Sequence, residues 1–183
     1  YEKLKDSGAL QRGHFLLTSG LHSEYYLQCA RFLRFPGYAQ EAGESLAAQL
    51  REKAPEVVVA PAIGGLIIGH EVAKALQVPF IFCEREEGKL RRRRFSPPGA
   101  GRFVVVEDVI TTGGSVLEVG EHMENTGAEW VASGCVVQRG TKLKLPHTPA
   151  APRQLEFPVY KPEECPLGAQ GLPVVKPGSR DVR

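Results

Sequence analysis

The chain has 183 residues, of which 42% are hydrophobic and 24% charged, and its formal net charge at pH 7 is +2. This length suits one domain that buries its own core without disulfide help, and the composition is that of an ordinary globular protein. No apolar run is long enough to cross a bilayer, and the first residues lack the pattern of a signal peptide. We therefore expect a cytoplasmic protein without a membrane partner.

The cysteines are interpreted as buried apolar residues. Cys29, Cys83, Cys135 and Cys165 are far apart, and none forms a CxxC pair. Cys83 and Cys135 stand within apolar runs, where a free cysteine acts as a small hydrophobic side chain, so metal binding and disulfides are the less favoured alternatives. Unpaired cysteines are typical of a reducing compartment, which agrees with the cytoplasmic prediction.

Apolar runs and helical patterns alternate through the middle of the chain. Continuous apolar runs are expected where both faces of a parallel sheet are covered, and they predict strands over residues 57–60, 80–83, 103–106 and 130–137. Apolar residues at helical spacing predict helices over residues 38–53, 65–76 and 115–125, the last with Ser115 as its N-cap or first residue. This order predicts an α/β fold with right-handed crossovers, in which ligands bind at the carboxyl ends of the strands.

Two segments interrupt this alternation. Residues 84–102, EREEGKLRRRRFSPPGAGR, form a charged connection whose length is typical of a functional or mobile loop. Its run of arginines is typical of a solvated patch or a nucleic-acid contact, but the flanking glycine and prolines favour a mobile flap, so no nucleic-acid partner is predicted. Residues 146–183 contain eight of the 14 prolines and are predicted to be extended, with short strands near residues 154–159.

The stretch FVVVEDVITTGGS, residues 103–115, predicts a phosphate site. A buried strand leads through a glycine turn into a helix, whose first N–H groups lack intrahelical partners and whose dipole favours an anion. Gly113 and Gly114 let the backbone approach the anion, and hydroxyl donors are available from Thr111, Thr112 and Ser115. The stretch lacks the GxxxxGK[ST] pattern and its phosphate-binding lysine, so a monophosphate fits better than a nucleoside triphosphate.

Glu107 and Asp108 need a different ligand group, because carboxylates repel a phosphate. They could bind Mg²⁺, accept hydrogen bonds from sugar hydroxyls, or act as a general acid and base. The structural alternative is an acidic pair that caps a nearby helix. A ribose 5-phosphate satisfies both parts of the stretch, with its phosphate in the glycine turn and its 2- and 3-hydroxyls on the carboxylates.

The whole stretch resembles the signature with which type I phosphoribosyltransferases bind 5-phosphoribosyl 1-diphosphate (PRPP). The resemblance implies that Glu107 and Asp108 hold the ribose hydroxyls and that Mg²⁺ is held mainly through PRPP, without protein ligands of its own. It implies that the other PRPP-binding residues of the stretch are Val109, Ile110, Thr111, Thr112, Gly113, Gly114 and Ser115. The implied fold is a single domain with a central, mostly parallel sheet flanked by helices. Its parts are an N-terminal hood (residues 1–36), a core (37–145) with a long flexible catalytic loop (84–102), and the proline-rich tail (146–183).

The acceptor base is indicated by the stretch FLLTSGLHSEYYLQ, residues 15–28. Ser19 and Gly20 offer backbone groups to a planar base, and Tyr25 and Tyr26 could stack on one. The alternative is a β-hairpin with a serine turn and buried aromatic residues. The stretch resembles a segment of the orotate phosphoribosyltransferases.

Two further segments agree with that family. The first matches its pyrophosphate loop, whose backbone N–H groups face the leaving group, at Ala62, Ile63, Gly64 and Gly65. Arg139 stands where the family places an arginine near the orotate carboxylate, and a guanidinium can bind a carboxylate with two hydrogen bonds, which favours orotate over uracil. The orotate-binding residues that the resemblance implies are Ser19, Gly20, Tyr26, Thr111 and Arg139.

The catalytic loop departs from the family's pattern R-K-x-x-K-x-H-G. Arg85 and Lys89 match, whereas Glu86 replaces the lysine after the arginine and Arg91 replaces the histidine. The resemblance implies that Arg85, Lys89 and Arg91 bind the diphosphate of PRPP, but an arginine cannot shuttle a proton. Two further positions depart where some relatives carry a lysine, namely Thr18 and Gly64.

The resemblance implies transfer of the phosphoribosyl group from PRPP to orotate, a step of pyrimidine biosynthesis. Catalysis would come from positioning and from charge around an oxocarbenium-like transition state, with Lys89, Glu107 and Asp108 as the catalytic residues. A homodimer is also implied, in which the flexible loop reaches the neighbouring subunit. The alternatives are a phosphoribosyltransferase for another base and a non-catalytic PRPP sensor, which the altered loop keeps open.

Overall fold

The computed structural model describes residues 1–92, 94–96, 99, 101–140 and 143–177 of the chain. Its elements are, in chain order, α1 (Glu2–Asp6), β1 (Leu10–Leu16), β2 (His22–Leu27), α2 (Cys29–Leu33), α3 (Pro36–Leu50), β3 (Val57–Pro61), α4 (Gly65–Leu76), β4 (Phe80–Glu86), β5 (Lys89–Arg91), β6 (Arg102–Ile110), α5 (Gly114–Glu124), β7 (Glu129–Arg139), β8 (Arg153–Leu155), β9 (Val159–Tyr160) and α6 (Pro166–Ala169). They fall into two compact units, the first made of Tyr1–Phe32 and Glu156–Arg183 and the second of Leu33–Leu155. Within the described residues, every helix is too short or too polar to span a membrane.

The second unit is built on a parallel sheet. Its described strands form one sheet in the order β5-β4-β3-β6-β7-β8, in which β4 and β5 are antiparallel and the other neighbours are parallel. The four predicted strands are β3, β4, β6 and β7, and the predicted α/β fold is confirmed. The carboxyl ends of β3, β6 and β7 lie side by side, so the loops that follow them open at one edge of the sheet.

Helices cover both faces of this sheet, which explains the continuous apolar runs within β3, β4, β6 and β7. On one face, α5 and the sheet share a buried cluster that includes Val57, Val59, Phe103, Val105, Val116, Val119, Met123 and Trp130. The alternate strand residues face the other way, where α4 packs on β3 and β6 and α3 packs on α4 and β7. Leu46, Leu50, Ile68 and Val72 are almost fully buried there.

The first predicted helix is displaced toward its N-terminus. The expected span was residues 38–53, but α3 starts at Pro36, whose fixed φ suits the first turn of a helix. The α-helix ends at Leu50 and continues as a 3₁₀ turn, Arg51–Lys53. The third predicted helix, residues 115–125, is α5; its N-cap is Gly113, and Ser115 lies in its first turn.

The connection predicted over residues 84–102 is partly regular. β4 continues to Glu86, and Glu87 and Gly88 take left-handed conformations with φ of 47° and 83°, which turn the chain into β5. Two such residues make the tight hairpin turn whose twist matches that of the strands. Arg93 and residues 97, 98 and 100 lie outside the described residues.

The first unit joins the two ends of the chain. Within its described residues, β1, β2 and β9 form an antiparallel sheet in that order. The short strands predicted near residues 154–159 are β8 and β9, which residues 156–158 separate. β8 completes the sheet of the second unit, whereas β9 pairs with β2 in the first.

Candidate active site

The predicted phosphate site falls on the turn between β6 and α5. Gly113 caps the helix with a φ of +85°, a left-handed conformation that glycine adopts without strain. The turn lines a cavity of about 170 Å³ whose walls include Thr111, Thr112, Gly114 and Ser115. Since a water molecule takes roughly 30 Å³ in the liquid, the cavity holds a group of several heavy atoms. The free N–H groups and the dipole of an eleven-residue helix favour an anion there.

Glu107 and Asp108 lie at the carboxyl end of β6, and Glu107 lines the same cavity. The Asp108 N–H donates to Glu107 Oε1 at 3.1 Å, and the Val109 N–H donates to Asp108 Oδ1 at 2.7 Å. Burial and the neighbouring Asp108 raise the pKa of Glu107, and burial raises the pKa of Asp108. A ligand that brings hydroxyl donors or positive charge therefore stabilises the charged form of this pair.

The loop after β3 approaches the acidic pair closely. A Cβ atom added to Gly64 would lie 2.9 Å from Asp108 Oδ1 and 3.1 Å from Glu107 Oε1. One added to Gly65 would lie 3.3 Å from the same Glu107 oxygen. The lack of side chains on these glycines is what permits the approach. The segments predicted to bind pyrophosphate and ribose phosphate are therefore neighbours at one edge of the sheet.

The first half of that loop is tied to the sheet. The Ala62 N–H donates to the Cys83 carbonyl of β4 at 2.8 Å. The peptide bond between Ala62 and Ile63 is cis, and the Ile63 side chain is 83% exposed. The loop thus presents its backbone beside the acidic pair while its one large side chain points to solvent.

Arg139 ends β7, the strand next to β6. The parallel register pairs Ile110 with Gln138, which places Arg139 next in line beside Thr111. Arg139 is partly buried. The residue predicted to bind the orotate carboxylate therefore lies at the same edge of the sheet as the phosphate turn.

A segment after β7 packs on the phosphate turn, and this contact was not predicted. The Lys144 N–H donates to the Thr112 carbonyl at 2.9 Å. A Cβ atom at Gly113 would lie 2.7 Å from Leu145 Cγ, so close packing as well as φ demands glycine there. The contact joins residues more than 30 positions apart, and the sequence carries no periodic signal for it.

The predicted residues of the catalytic loop lie on the β4–β5 hairpin, where Arg85, Lys89 and Arg91 are all exposed. Arg85 Nη2 donates to Glu118 Oε2 of α5 at 3.2 Å, and the Leu90 N–H donates to Glu118 Oε1 at 2.6 Å. A carboxylate of α5 therefore holds the guanidinium that was predicted to bind diphosphate. The same helix that begins at the phosphate turn anchors the hairpin.

His122, one turn after Glu118, makes a second contact with the hairpin region. The Arg92 N–H donates to His122 Nε2 at 3.2 Å, and Arg92 Nε donates to the Phe95 carbonyl at 2.7 Å. Burial and the nearby arginines lower the pKa of His122, which favours the neutral ring that accepts this hydrogen bond. Neither Glu118 nor His122 was predicted, although two polar residues at i, i+4 on the helix after the phosphate turn were an available signal.

Three of the residues predicted to bind the base, Ser19, Gly20 and Tyr26, belong to the first unit. Ser19 and Gly20 are exposed in the turn between β1 and β2, where Gly20 has a φ of +81°. Tyr26 lies on β2, and the Tyr25 ring stacks on Phe157 with centroids 4.8 Å apart. The stretch therefore forms the β-hairpin of the alternative interpretation, and its turn keeps the exposed backbone groups that base binding needs. Base binding by these residues stays a prediction.

Comparison with known proteins agrees with this geometry. Residues 38–152 match the phosphoribosyl transferase domain family. An orotate phosphoribosyltransferase of Thermotoga petrophila is 48% identical over 185 residues, covering 100% of this chain and 98% of the relative. One of Chlorobaculum parvum is 47% identical over 178 residues, covering 96% and 92%.

Solved structures share the fold. The orotate phosphoribosyltransferase of Aeropyrum pernix superposes with a TM-score of 0.73 at 26% identity, over 84% of this chain and 92% of that one. An adenine phosphoribosyltransferase of Thermoanaerobacter pseudethanolicus has a TM-score of 0.64 at 15% identity, over 72% and 88%, and so shares the fold alone. The chain belongs to the phosphoribosyltransferase family and, by its likeness to relatives over their full length, to the orotate phosphoribosyltransferases within it.

Proposed function

We propose that the chain transfers the 5-phosphoribosyl group of PRPP to orotate, giving orotidine 5'-monophosphate and pyrophosphate, at the site built by the loops after β3, β6 and β7. The observation that carries the site assignment is the approach of Gly64 to Glu107 and Asp108, next to the phosphate turn. It brings groups suited to a diphosphate, to ribose hydroxyls and to a 5-phosphate within the span of one PRPP molecule.

In this proposal, each segment binds the part of PRPP that its chemistry fits. The turn that contains Thr111, Thr112 and Ser115 donates backbone and hydroxyl hydrogen bonds to the 5-phosphate at the N-terminus of α5. Glu107 and Asp108 accept hydrogen bonds from the ribose hydroxyls. The loop from Ala62 to Gly65 faces the departing pyrophosphate.

The acidic pair also suits a magnesium ion that accompanies PRPP. Mg²⁺ prefers oxygen donors and keeps several ligands from water or phosphate, and the carboxyl groups of Glu107 and Asp108 are oxygen donors that gain from a nearby cation. When bound, the ion would neutralise the diphosphate. Glu107 and Asp108 would influence the magnesium ion mainly by orienting the ribose hydroxyls of PRPP.

In this proposal, charged side chains assist bond cleavage at the anomeric carbon. As the bond from C1 to the diphosphate loosens, positive charge develops on the sugar, and the two carboxylates of Glu107 and Asp108 stabilise it. Negative charge develops on the diphosphate, and Lys89 and Arg91 on β5 supply positive charge to it. Positioning and charge carry the reaction, since orotate N1 is itself the nucleophile.

Arg85 must exchange partners to join this reaction. In the structure its guanidinium pairs with Glu118, and both side chains are partly exposed, so the pair is weak enough to yield to a diphosphate. We infer that the hairpin opens from α5 when PRPP binds and that, in a homodimer, it serves the neighbouring subunit.

Arg139 of the second unit is proposed as the residue that recognises the acceptor. Arg139 lies at the edge of the sheet beside Thr111 and would bind the orotate carboxylate with two hydrogen bonds. Within the first unit, Ser19, Gly20 and Tyr26 stay separate candidates for contacts with a base. The four cysteines, which form no disulfides, and the charged substrates support a cytoplasmic location.

One assay tests the proposal and separates its alternatives. Protein, Mg²⁺ and PRPP are mixed with orotate, and the loss of orotate absorbance is followed, with hypoxanthine, adenine and uracil in parallel. Turnover with orotate alone supports the proposal. Turnover with another base indicates a different acceptor, and PRPP binding without turnover on any base indicates a sensor.

A further inference from the structure

We propose that the first unit contains a zinc site formed by His14, His22 and Cys165. His14 lies on β1 and His22 on β2, and Cys165 lies between a 3₁₀ turn, Pro162–Glu164, and α6. One ligand atom from each residue lies within 4.8 Å of the other two. The cluster uses none of the residues proposed to bind PRPP or orotate.

The orientation of His14 is fixed by a backbone carbonyl. His14 Nδ1 lies 2.8 Å from the Leu172 carbonyl oxygen, which can only accept a hydrogen bond, so Nδ1 carries the proton. In the neutral ring with this tautomer, the lone pair is on Nε2, the atom that faces the other two residues. A histidine that donates one ring N–H to a carbonyl and directs the other nitrogen at a metal is the usual arrangement in metal sites.

Two groups compete for that one lone pair. His22 Nδ1 lies 2.7 Å from His14 Nε2, and Cys165 Sγ lies 3.4 Å from the same atom. A neutral imidazole nitrogen accepts one hydrogen bond, so it cannot satisfy both an N–H and an S–H donor. His14 is 5% exposed and Cys165 3% exposed, and buried polar atoms are normally satisfied. A cation among the three atoms would satisfy all of them.

Two of the three distances between ligand atoms, those that involve His14, need little change to admit the ion. Zinc binds nitrogen at about 2.0–2.1 Å and sulfur at about 2.3 Å in tetrahedral geometry, which corresponds to N···N of about 3.3 Å and N···S of about 3.6 Å. His14 and His22 would move apart by about 0.6 Å, and Cys165 would move about 0.2 Å away from His14. The ligand atoms of His22 and Cys165, which lie within 4.8 Å of each other, would come to about 3.6 Å. On binding, the thiol proton passes to solvent and His22 holds its proton on Nε2. Two imidazoles and a thiolate select a soft ion over Mg²⁺.

Gly168 marks the open fourth position. A Cβ atom added to Gly168 would lie 3.7 Å from His14 Cε1 and 3.9 Å from Cys165 Cβ, so a side chain there would face the cluster without a clash. The spacing from Cys165 to Gly168 is that of a Cys-x₂-Cys zinc motif. Since the chain has glycine, a water molecule would complete the coordination. The ion would join β1 and β2 to a segment about 150 positions later.

The test uses the full chain, stripped of metal with a chelator, and Co²⁺ as an optical probe. We expect one Co²⁺ per chain, with the intense near-ultraviolet absorption of a cobalt–thiolate bond, and its displacement by Zn²⁺ but not by excess Mg²⁺. Cys165→Ser should abolish the thiolate band and weaken Zn²⁺ binding at least about 100-fold. The loss should be this large because the substitution removes a metal ligand itself, not a residue that only hydrogen-bonds to a ligand. Cys29 is a buried cysteine of the same unit that lies outside the cluster. The Cys29→Ala variant should therefore keep the thiolate band and the Zn²⁺ affinity of the wild type.

Gly168→Cys gives a test that does not depend on losing a side chain. A fourth ligand should tighten Zn²⁺ binding at least about tenfold and strengthen the thiolate absorption. Zinc should also raise the melting temperature of the wild-type chain and of Cys29→Ala, but not that of Cys165→Ser. Absence of a thiolate band in the wild-type chain, or a band that survives in Cys165→Ser, would overturn the proposal. So would a Gly168→Cys variant that folds but binds zinc no more tightly.

Discussion

Substituting Gly64 by alanine should impair catalysis without harming the fold. Gly64 has φ −57° and ψ −44°, a conformation that alanine adopts freely, so the backbone bears no strain. The new methyl group would lie 2.9 Å from Asp108 Oδ1, whereas ordinary contacts begin at 3.4 Å. We expect the Asp108 carboxylate to move away from the methyl group by about 0.5 Å, because it is the end of a side chain and shifts more easily than the backbone. Since a 1 Å misplacement can cost about 100-fold in rate, we expect about a tenfold loss, or about 1.4 kcal/mol.

The measurement is kcat/KM for PRPP from the loss of orotate absorbance, together with the melting temperature. Gly37→Ala is the matched control, because Gly37 is also exposed and a Cβ atom there meets nothing within 4 Å. We expect both variants to melt like the wild type and only Gly64→Ala to lose activity. If Gly64→Ala kept full activity, the contact between this loop and the acidic pair would have no part in catalysis, and the site assignment would fail.

Three further predictions concern the charged residues of the site. Asp108→Asn and Lys89→Ala should each lower kcat by about 100-fold or more with folding intact, because one preorganised charge is worth about 3–4 kcal/mol in a transition state; near-normal turnover of both would contradict the assigned roles. Burial and a like charge raise the pKa of Glu107, so binding of PRPP with Mg²⁺ should displace a proton from the free site. The affinity for PRPP should therefore fall by up to tenfold per pH unit as the pH is lowered from about 8 to about 6. Calorimetry in buffers of different ionisation enthalpy counts that proton, and a count of zero at neutral pH would refute the reasoning. Arg139→Lys should raise KM for orotate about tenfold while KM for PRPP changes little, since an ammonium cannot make the two parallel hydrogen bonds of a guanidinium; an equal rise in both constants would place Arg139 elsewhere.

The sheet was predictable because strands that are buried on both faces appear in the sequence as continuous apolar runs. The runs at residues 57–60 and 103–106 are apolar at every position, and they became β3 and β6 of a parallel sheet. The turn between β6 and α5 was also predictable, since two glycines follow a buried strand and precede a helical pattern. Phosphate binding by this turn stays a prediction. Of the two options for Ser115, capping or entering α5, the structure shows the second: Gly113, with φ +85°, is the N-cap, and Ser115 lies in the first turn.

The sequence by itself therefore determined the order of strands and helices, the phosphate turn and the acidic pair, because each depends on neighbours along the chain. Only the tertiary structure placed Gly64 against Asp108, paired Arg85 with Glu118, and brought Cys165 to His14. These contacts join residues that are tens of positions apart or more, so no local pattern specifies them. They arise because the folded chain brings distant side chains together. The sheet register does this for Gly64 and Asp108, the anchoring of the hairpin on α5 for Arg85 and Glu118, and the return of the C-terminal segment to β2 for Cys165 and His14.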